Sequence, residues 1–225
     1  MKYASVSQNM QYVCHLLAPV TQMENIEKRN GERVITYAGR LPGIFNRTYY
    51  PLEYQYLLDR QQYSLLLSDG SFFQFYYAFS AEDRLIAARL AFYPSPIPTE
   101  ENGAALLEAA EKSAESEDEF LFEHLNSCVE LIDALKIHPA NTGHFRFDYD
   151  PKAEGTHAIS HLQFSGVNNI RLSASFFPMP SAFIEMVGSG IEGLPALTGA
   201  CVGHAKNNAL RVDAGDGLIY LSHEK

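Results

Sequence analysis

Residues 63–93 hold the pattern that most narrows the folds open to this chain. Tyr63-Ser-Leu-Leu-Leu67 runs into Ser68-Asp69-Gly70-Ser71, and the chain returns through Phe72-Phe-Gln-Phe-Tyr-Tyr-Ala-Phe79. A Gly-containing turn between two such runs predicts a hairpin. A second turn at Ser80–Asp83 leads into Arg84–Tyr93, which is stopped by Pro94-Ser-Pro-Ile-Pro98. Residues 63–93 therefore read as a three-stranded antiparallel β-meander. The chain has 13 Tyr, 14 Phe and no Trp. Rings placed in alternating runs point to sheets with one packed face.

Elsewhere the pattern is mixed. Val6, Met10, Val13, Leu16, Leu17 and Val20 recur at near-helical spacing, which predicts a helix over 5–24 that Pro19 kinks or ends. Arg33–Ala38 reads as a short strand, and Pro51–Tyr63 as a helix with Pro in its first turn. Residues 104–135 read as a helical segment. In it Ser116-Glu-Asp-Glu119 fits a capping box ahead of the stripe Leu121, Leu125, Cys128, Ile132, Leu135, so helix 117–135 should lie on the sheet. A second strand group covers 144–176, with strands at 144–150, 159–165 and 169–176. Pro178-Met-Pro180-Ser181 then opens a helix through Val187. The tail 191–225 is Gly-rich and weakly patterned, with room for a short helix near 200–210 and a strand over 217–222. The fold class is α+β: a mainly antiparallel, aromatic-rich sheet with helices packed on it, in one domain over 1–225.

Composition excludes several classes of function. The net charge of −10 disfavours a broad grip on nucleic acid, whose affinity comes largely from phosphate neutralisation, although a small basic cleft on an acidic body is compatible with it. No run approaches the length of a membrane span, and the polar-interrupted start predicts no secretory leader. Cys14, Cys128 and Cys201 are few, odd in number and far apart, which fits reduced thiols in a cytoplasmic protein. No cofactor motif is present: Gly188-Ser-Gly190 and Gly215-Asp-Gly217 lack the Lys-Ser/Thr or full glycine fingerprint of a phosphate loop.

Polar chemistry concentrates in 144–172. Alternation places Phe145, Phe147 and Tyr149 on one face, and Arg146, Asp148 and Asp150 on the other at about 7 Å spacing. His157, His161, Gln163 and Arg171 follow. Two readings fit. Arg89, Arg146, Arg171 and Asp150 could line a pocket for an anionic ligand, with His157, His161 and Asp148 as catalytic acid and base on a phosphodiester. Alternatively, the face is solvated, with cross-strand Arg–Asp pairs and backbone-bonded histidines. A metal held by the histidines with Asp148 or His144 has no supporting ligand spacing, so no metal site is assigned. Arg89 and Gln74 each sit in an otherwise apolar strand, and whether they join this face cannot be read from spacing alone.

Three segments together, Asp69-Gly-Ser-Phe-Phe-Gln-Phe75, Ala88-Arg-Leu-Ala-Phe-Tyr-Pro-Ser-Pro96 and Phe145-Arg-Phe-Asp-Tyr-Asp150, recur with Ser160-His161, Ile170-Arg-Leu172 and Pro180-Ser-Ala-Phe-Ile184. The combination resembles a family of uncharacterised bacterial proteins known only as a domain of unknown function, over about residues 10 to 190. The Gly-rich tail after 190 departs from that pattern. The resemblance implies no assigned activity. The expected function is thus an accessory or binding protein whose polar sheet face engages an anionic ligand or a protein partner, including a second copy of itself. The alternative is a small hydrolase or nuclease of toxin or phage-defence type, using His157 and His161 with Asp148 and the arginines.

Overall fold

The computed structural model describes residues 1–41, 50–96, 103–115, 119, 121–123, 125–126, 143–153, 158–164, 171–191, 193–213 and 221–222. The chain packs as two compact units, residues 1–95 with 143–225, and residues 96–142. In the smaller unit the helix expected at 104–113 is present, spanning Gly103–Glu115, and a Glu108–Lys112 pair at 2.7 Å stiffens its surface. The capping box and most of helix 117–135 lie outside the described residues.

The larger unit is a mixed α+β structure built on an antiparallel sheet of nine strands among the described residues. These are β1 (Thr21–Glu24), β2 (Ile26–Arg29), β3 (Val34–Tyr37), β4 (Leu65–Leu67), β5 (Phe72–Phe79), β6 (Leu85–Tyr93), β7 (Phe145–Tyr149), β8 (Ser160–Phe164) and β9 (Arg171–Ser173). The main path runs β1-β4-β5-β6-β7-β8-β9, while β3 pairs with β2 and with the far end of β5. The meander expected at 63–93 is β4-β5-β6. Its first turn needs Gly70 at φ +86°, and Asp69 Oδ1 accepts from the Ser71 amide at 2.8 Å to close it.

Two expectations need correction. The opening helix, here α1, spans Tyr3–Leu17 and gives way to a 3-10 turn, Ala18–Val20, and then to β1. Pro19 has no N–H to continue the helical ladder, and Thr21 Oγ1 donates to the Leu17 carbonyl at 2.9 Å. Residues 21–24 then pair with β4. The strand expected at 169–176 is two elements. β9 ends at Ser173, and β10 (Phe176–Phe177) joins β11 (Leu210–Arg211) in a separate two-stranded sheet. Ala174 between them bridges Leu221 in parallel, and the rest of the terminal strand lies outside the described residues. The helix near 200–210 is present as Gly199–Asn208.

The two faces of the sheet are used differently. On one, Phe73, Phe75, Tyr77, Leu90, Phe92 and Phe147 pack with Val6, Met10, Val13 and Leu17 of α1 and with Phe183 and Ile184. The last two belong to a helix over Pro180–Val187, as expected from its Pro-rich start. Fully burying each such side chain contributes roughly 1.5–3 kcal/mol, so this face dominates stability. On the other face α2 (Tyr50–Asp59) covers only one end, through a cluster of Tyr50, Tyr54 and Leu57 with Phe72, Ala91 and Tyr93. The rest of that face is polar. Following α1 and α2, the helix Gly103–Glu115 is α3, Pro180–Val187 is α4 and Gly199–Asn208 is α5. None of the described helices is long and apolar enough to cross a membrane.

Candidate anion-binding face

Strand alternation decides which side chains reach the polar face, and register decides which of them meet. Leu90, Phe147 and Leu162 point into the core, so their neighbours Arg89, Asp148 and His161 point away from it. Register then aligns Tyr76, Arg89, Asp148 and His161 as one cross-strand row over β5, β6, β7 and β8. The next row is Gln74, Ala91, Arg146, Gln163 and Arg171.

Within these rows the charges are tied together. Arg89 Nε donates to Asp148 Oδ1 at 2.7 Å, and Arg146 Nε donates to Asp148 Oδ2 at 2.7 Å. Arg146 Nη2 donates to Gln163 Oε1 at 2.6 Å. Burial alone would raise the Asp148 carboxyl, but the two guanidiniums outweigh it and hold the group below the usual carboxylate range. Asp148 thus stays ionised at neutral pH with an arginine on each oxygen. Its structural effect is to fix the two guanidiniums side by side, each held by its Nε edge.

His161 lies beside this pair, its Nε2 3.8 Å from Asp148 Oδ2 and its Nδ1 3.1 Å from the Ala158 carbonyl. A carbonyl only accepts, so Nδ1 carries the proton in the neutral ring. Burial lowers the ring's pKa, and the Ala158 carbonyl and Asp148 oppose this incompletely. The ring is therefore neutral at physiological pH.

Two adjoining spaces open over these rows. A cavity of about 290 Å³ lies toward α2, lined by Tyr37, Tyr56, Tyr76, Tyr93, Leu57, Glu53, Gln62 and Gln74. A more open groove of about 740 Å³ runs along the strands. Arg40, Tyr76, Arg89 and Arg146 line both. The groove also takes in Lys152, Arg171, His161, Asp148 and Asp150. Among the described residues its cations, Arg40, Arg89, Arg146, Lys152 and Arg171, outnumber its carboxylates, Asp148 and Asp150, on a chain whose net charge is −10. Arg40 is seated on the Tyr76 ring, its guanidinium carbon 3.8 Å from the centroid.

Of the residues expected to form a site, Arg89, Arg146, Asp148 and His161 come together, and Asp150 and Arg171 line the same groove. His157 lies outside the described residues. His144 sits apart, buried against the Tyr93 ring, with Nδ1 3.5 Å from Glu53 Oε2. Neither of its ring nitrogens has a hydrogen-bond partner among the described residues. Among the same residues no three His, Cys, Asp or Glu side chains are grouped to hold a metal ion. Sequence reasoning missed Arg40, Tyr37, Glu53 and Tyr76. Tyr76 was within reach, since it shares a face with Gln74 two positions earlier. Arg40 follows Gly39 in a loop and gives no periodic signal.

No curated protein and no solved structure matches the chain. A family model does, over residues 17–189, which takes in every strand of the polar face together with α2 and α3. The chain therefore belongs to the family described as uncharacterized conserved protein (DUF2290).

Proposed function

We propose that the protein is a non-catalytic binding protein whose polar sheet face takes an anionic ligand. The observation that carries this reading is the excess of cations over carboxylates in one groove of an acidic chain. Asp148 orients Arg89 and Arg146 without neutralising the groove, because Arg40, Lys152 and Arg171 add charge that Asp150 alone does not balance. Pre-oriented guanidiniums suit a carboxylate or phosphate, since little side-chain freedom is lost on binding. The groove is recessed between the strands and the Arg40 segment, which favours a small ligand over a flat protein surface.

The hydrolase or nuclease reading has less to stand on. An acid–base role for Asp148 requires a carboxyl that exchanges its proton near neutral pH, and both of its oxygens accept from guanidiniums. His161 retains Nε2 as a base, with no second group of suitable pKa placed beside it among the described residues.

Calorimetric titration of the full chain with inorganic phosphate, sulfate and citrate tests the proposal. Saturable binding is expected, weakened by added salt and lowered about tenfold by Arg171→Ala, an exposed groove residue. No binding by any of the three anions at low ionic strength would sink it.

A further inference from the structure

We infer that the groove's ligand also carries a planar heteroaromatic ring and belongs to the mononucleotide class, with the ring in the 290 Å³ cavity and the phosphate against Arg89 and Arg146. This rests on the anion-binding reading and adds what the rest of the ligand must be. Four features lead to it.

The cavity and the groove share Arg40, Tyr76, Arg89 and Arg146 in their walls, so a group bound to Arg89 and Arg146 has the cavity next to it. The cavity wall is aromatic, with Tyr37, Tyr56, Tyr76 and Tyr93, and such walls hold flat rings by stacking. Beyond the arginines and the tyrosine hydroxyls, its polar side chains are Glu53, Gln62 and Gln74. Gln74 gives one of its two Nε2 hydrogens to the Gln62 carbonyl at 2.6 Å, which leaves its carboxamide oxygen and its other N–H. Glu53, also in the wall, is held from behind by the Tyr93 hydroxyl, which donates to Oε1 at 3.3 Å. A heteroaromatic ring edge that carries both N–H donors and ring-nitrogen or carbonyl acceptors matches the Glu53 carboxylate and the Gln74 carboxamide. A purely hydrocarbon ring would offer them no hydrogen bond.

Charge and size narrow the class further. A single carboxylate, as on an amino acid, would leave much of the groove's positive excess unused, while a phosphate monoester carries close to two negative charges at neutral pH. The cavity is at the small end of ligand pockets, about the size for one ring system. A longer polyanion would be repelled by the acidic remainder of the chain.

The test is calorimetric titration of the full chain with inorganic phosphate, ribose phosphate, the common ribonucleoside monophosphates and a short single-stranded oligonucleotide. At least one nucleotide is expected to bind about tenfold or more tightly than ribose phosphate. Tyr56 is exposed in the cavity wall, so Tyr56→Ala should spare the fold. It should bring that nucleotide down to the level of ribose phosphate and leave ribose phosphate unchanged. Equal affinity for nucleotides and ribose phosphate would overturn the ring while leaving the anion site standing. Binding in no arm would remove both proposals. An oligonucleotide binding more tightly than its own monomer would overturn the small-molecule form. A nucleotide preference that survives both Tyr56→Ala and Gln74→Leu would overturn the placement in the cavity.

Discussion

Asn9 and Ser181, 172 positions apart, hold each other by a reciprocal pair of hydrogen bonds. Asn9 Nδ2 donates to Ser181 Oγ at 2.9 Å, and the Ser181 amide donates to Asn9 Oδ1 at 2.9 Å. Both residues are buried. The residue preceding α4, Met179, offers no capping side chain, so a residue of α1 closes the first turn of α4 from across the core. Asn9→Ala leaves the Ser181 amide and hydroxyl without this partner and should cost about 1–3 kcal/mol, read by urea unfolding. Ser181→Ala should cost less, because its amide keeps Asn9 Oδ1. The two substitutions should combine less than additively.

Asp148→Asn tests the ion pairs at the centre of the polar face. It leaves Arg89 and Arg146 facing a neutral group and should destabilise by about 2–3 kcal/mol, the low side of the range for a broken buried pair because Arg89 still reaches solvent. The native carboxyl titrates below its unfolded value. Its stabilisation is therefore full above that value, near 3.8, and is lost as pH falls through the depressed native one. The wild-type melting temperature should fall steeply across that acid window, and the variant's should fall less.

His161 titrates in a different window. Its native pKa lies below the unfolded value near 6.5, so the unfolded chain takes up the proton first as pH falls. The neutral ring's contribution is complete above that value and is lost on the way down through the native one. His161→Gln should flatten the part of the melting-temperature profile in which pH falls from the unfolded value near 6.5 through the lower native one. Identical wild-type and variant slopes in that interval would contradict the assignment.

Two glycines with left-handed backbone separate torsional from steric cost. Gly70 has φ +86°, and a Cβ there would lie 3.2 Å from Ser95 Oγ and from the Tyr54 hydroxyl oxygen. Gly39 has φ +65°, and a Cβ there would meet nothing within 4 Å among the described residues. Gly39→Ala should cost about 1–2 kcal/mol from backbone strain alone, and Gly70→Ala more, by thermal unfolding. Equal losses would show that Ser95 and Tyr54 yield freely.

Gly203 makes the opposite case. It lies inside α5, and a methyl group added there would meet nothing within 4 Å among the described residues. Gly203→Ala should raise stability by about 0.5–1 kcal/mol through helix propensity, seen as a higher midpoint in urea.

The strands Phe145–Tyr149 and Ser160–Phe164 and helices α1 and α4 were legible because apolar and polar residues alternate at the period of the element. The meander, buried on both faces over much of its length, was legible from its turns and its aromatic runs. β1 and β2 were not. Thr-Gln-Met-Glu and Ile-Glu-Lys-Arg lie largely at the surface, so no apolar alternation marks them, and their pairing with β4 and β3 is a tertiary fact. The candidate site divides in the same way. Residues alternating along β7 and β8 could be placed on one face from sequence. The nearness of Arg89 depends on the β6–β7 register, and that of Arg40 and Glu53 on how a loop and α2 fold back over the sheet. Neither carries a local signature.

The Arg89–Asp148 row also bears on how the strands find their alignment. A slip of β7 by two residues against β6 keeps each side chain on its own face, and the core would scarcely register it, since Leu90 would meet Phe145 or Tyr149 in place of Phe147. The polar face would not tolerate it. Slipped one way, Arg89 would sit opposite Arg146; slipped the other way, Asp148 would sit opposite Ala91 and lose its direct partner. Arg89 would then be left with Asp150, an exposed carboxylate beyond the end of β7, in place of the buried one. The aromatic side supplies adhesion that is nearly indifferent to alignment, and the charged side supplies the discrimination.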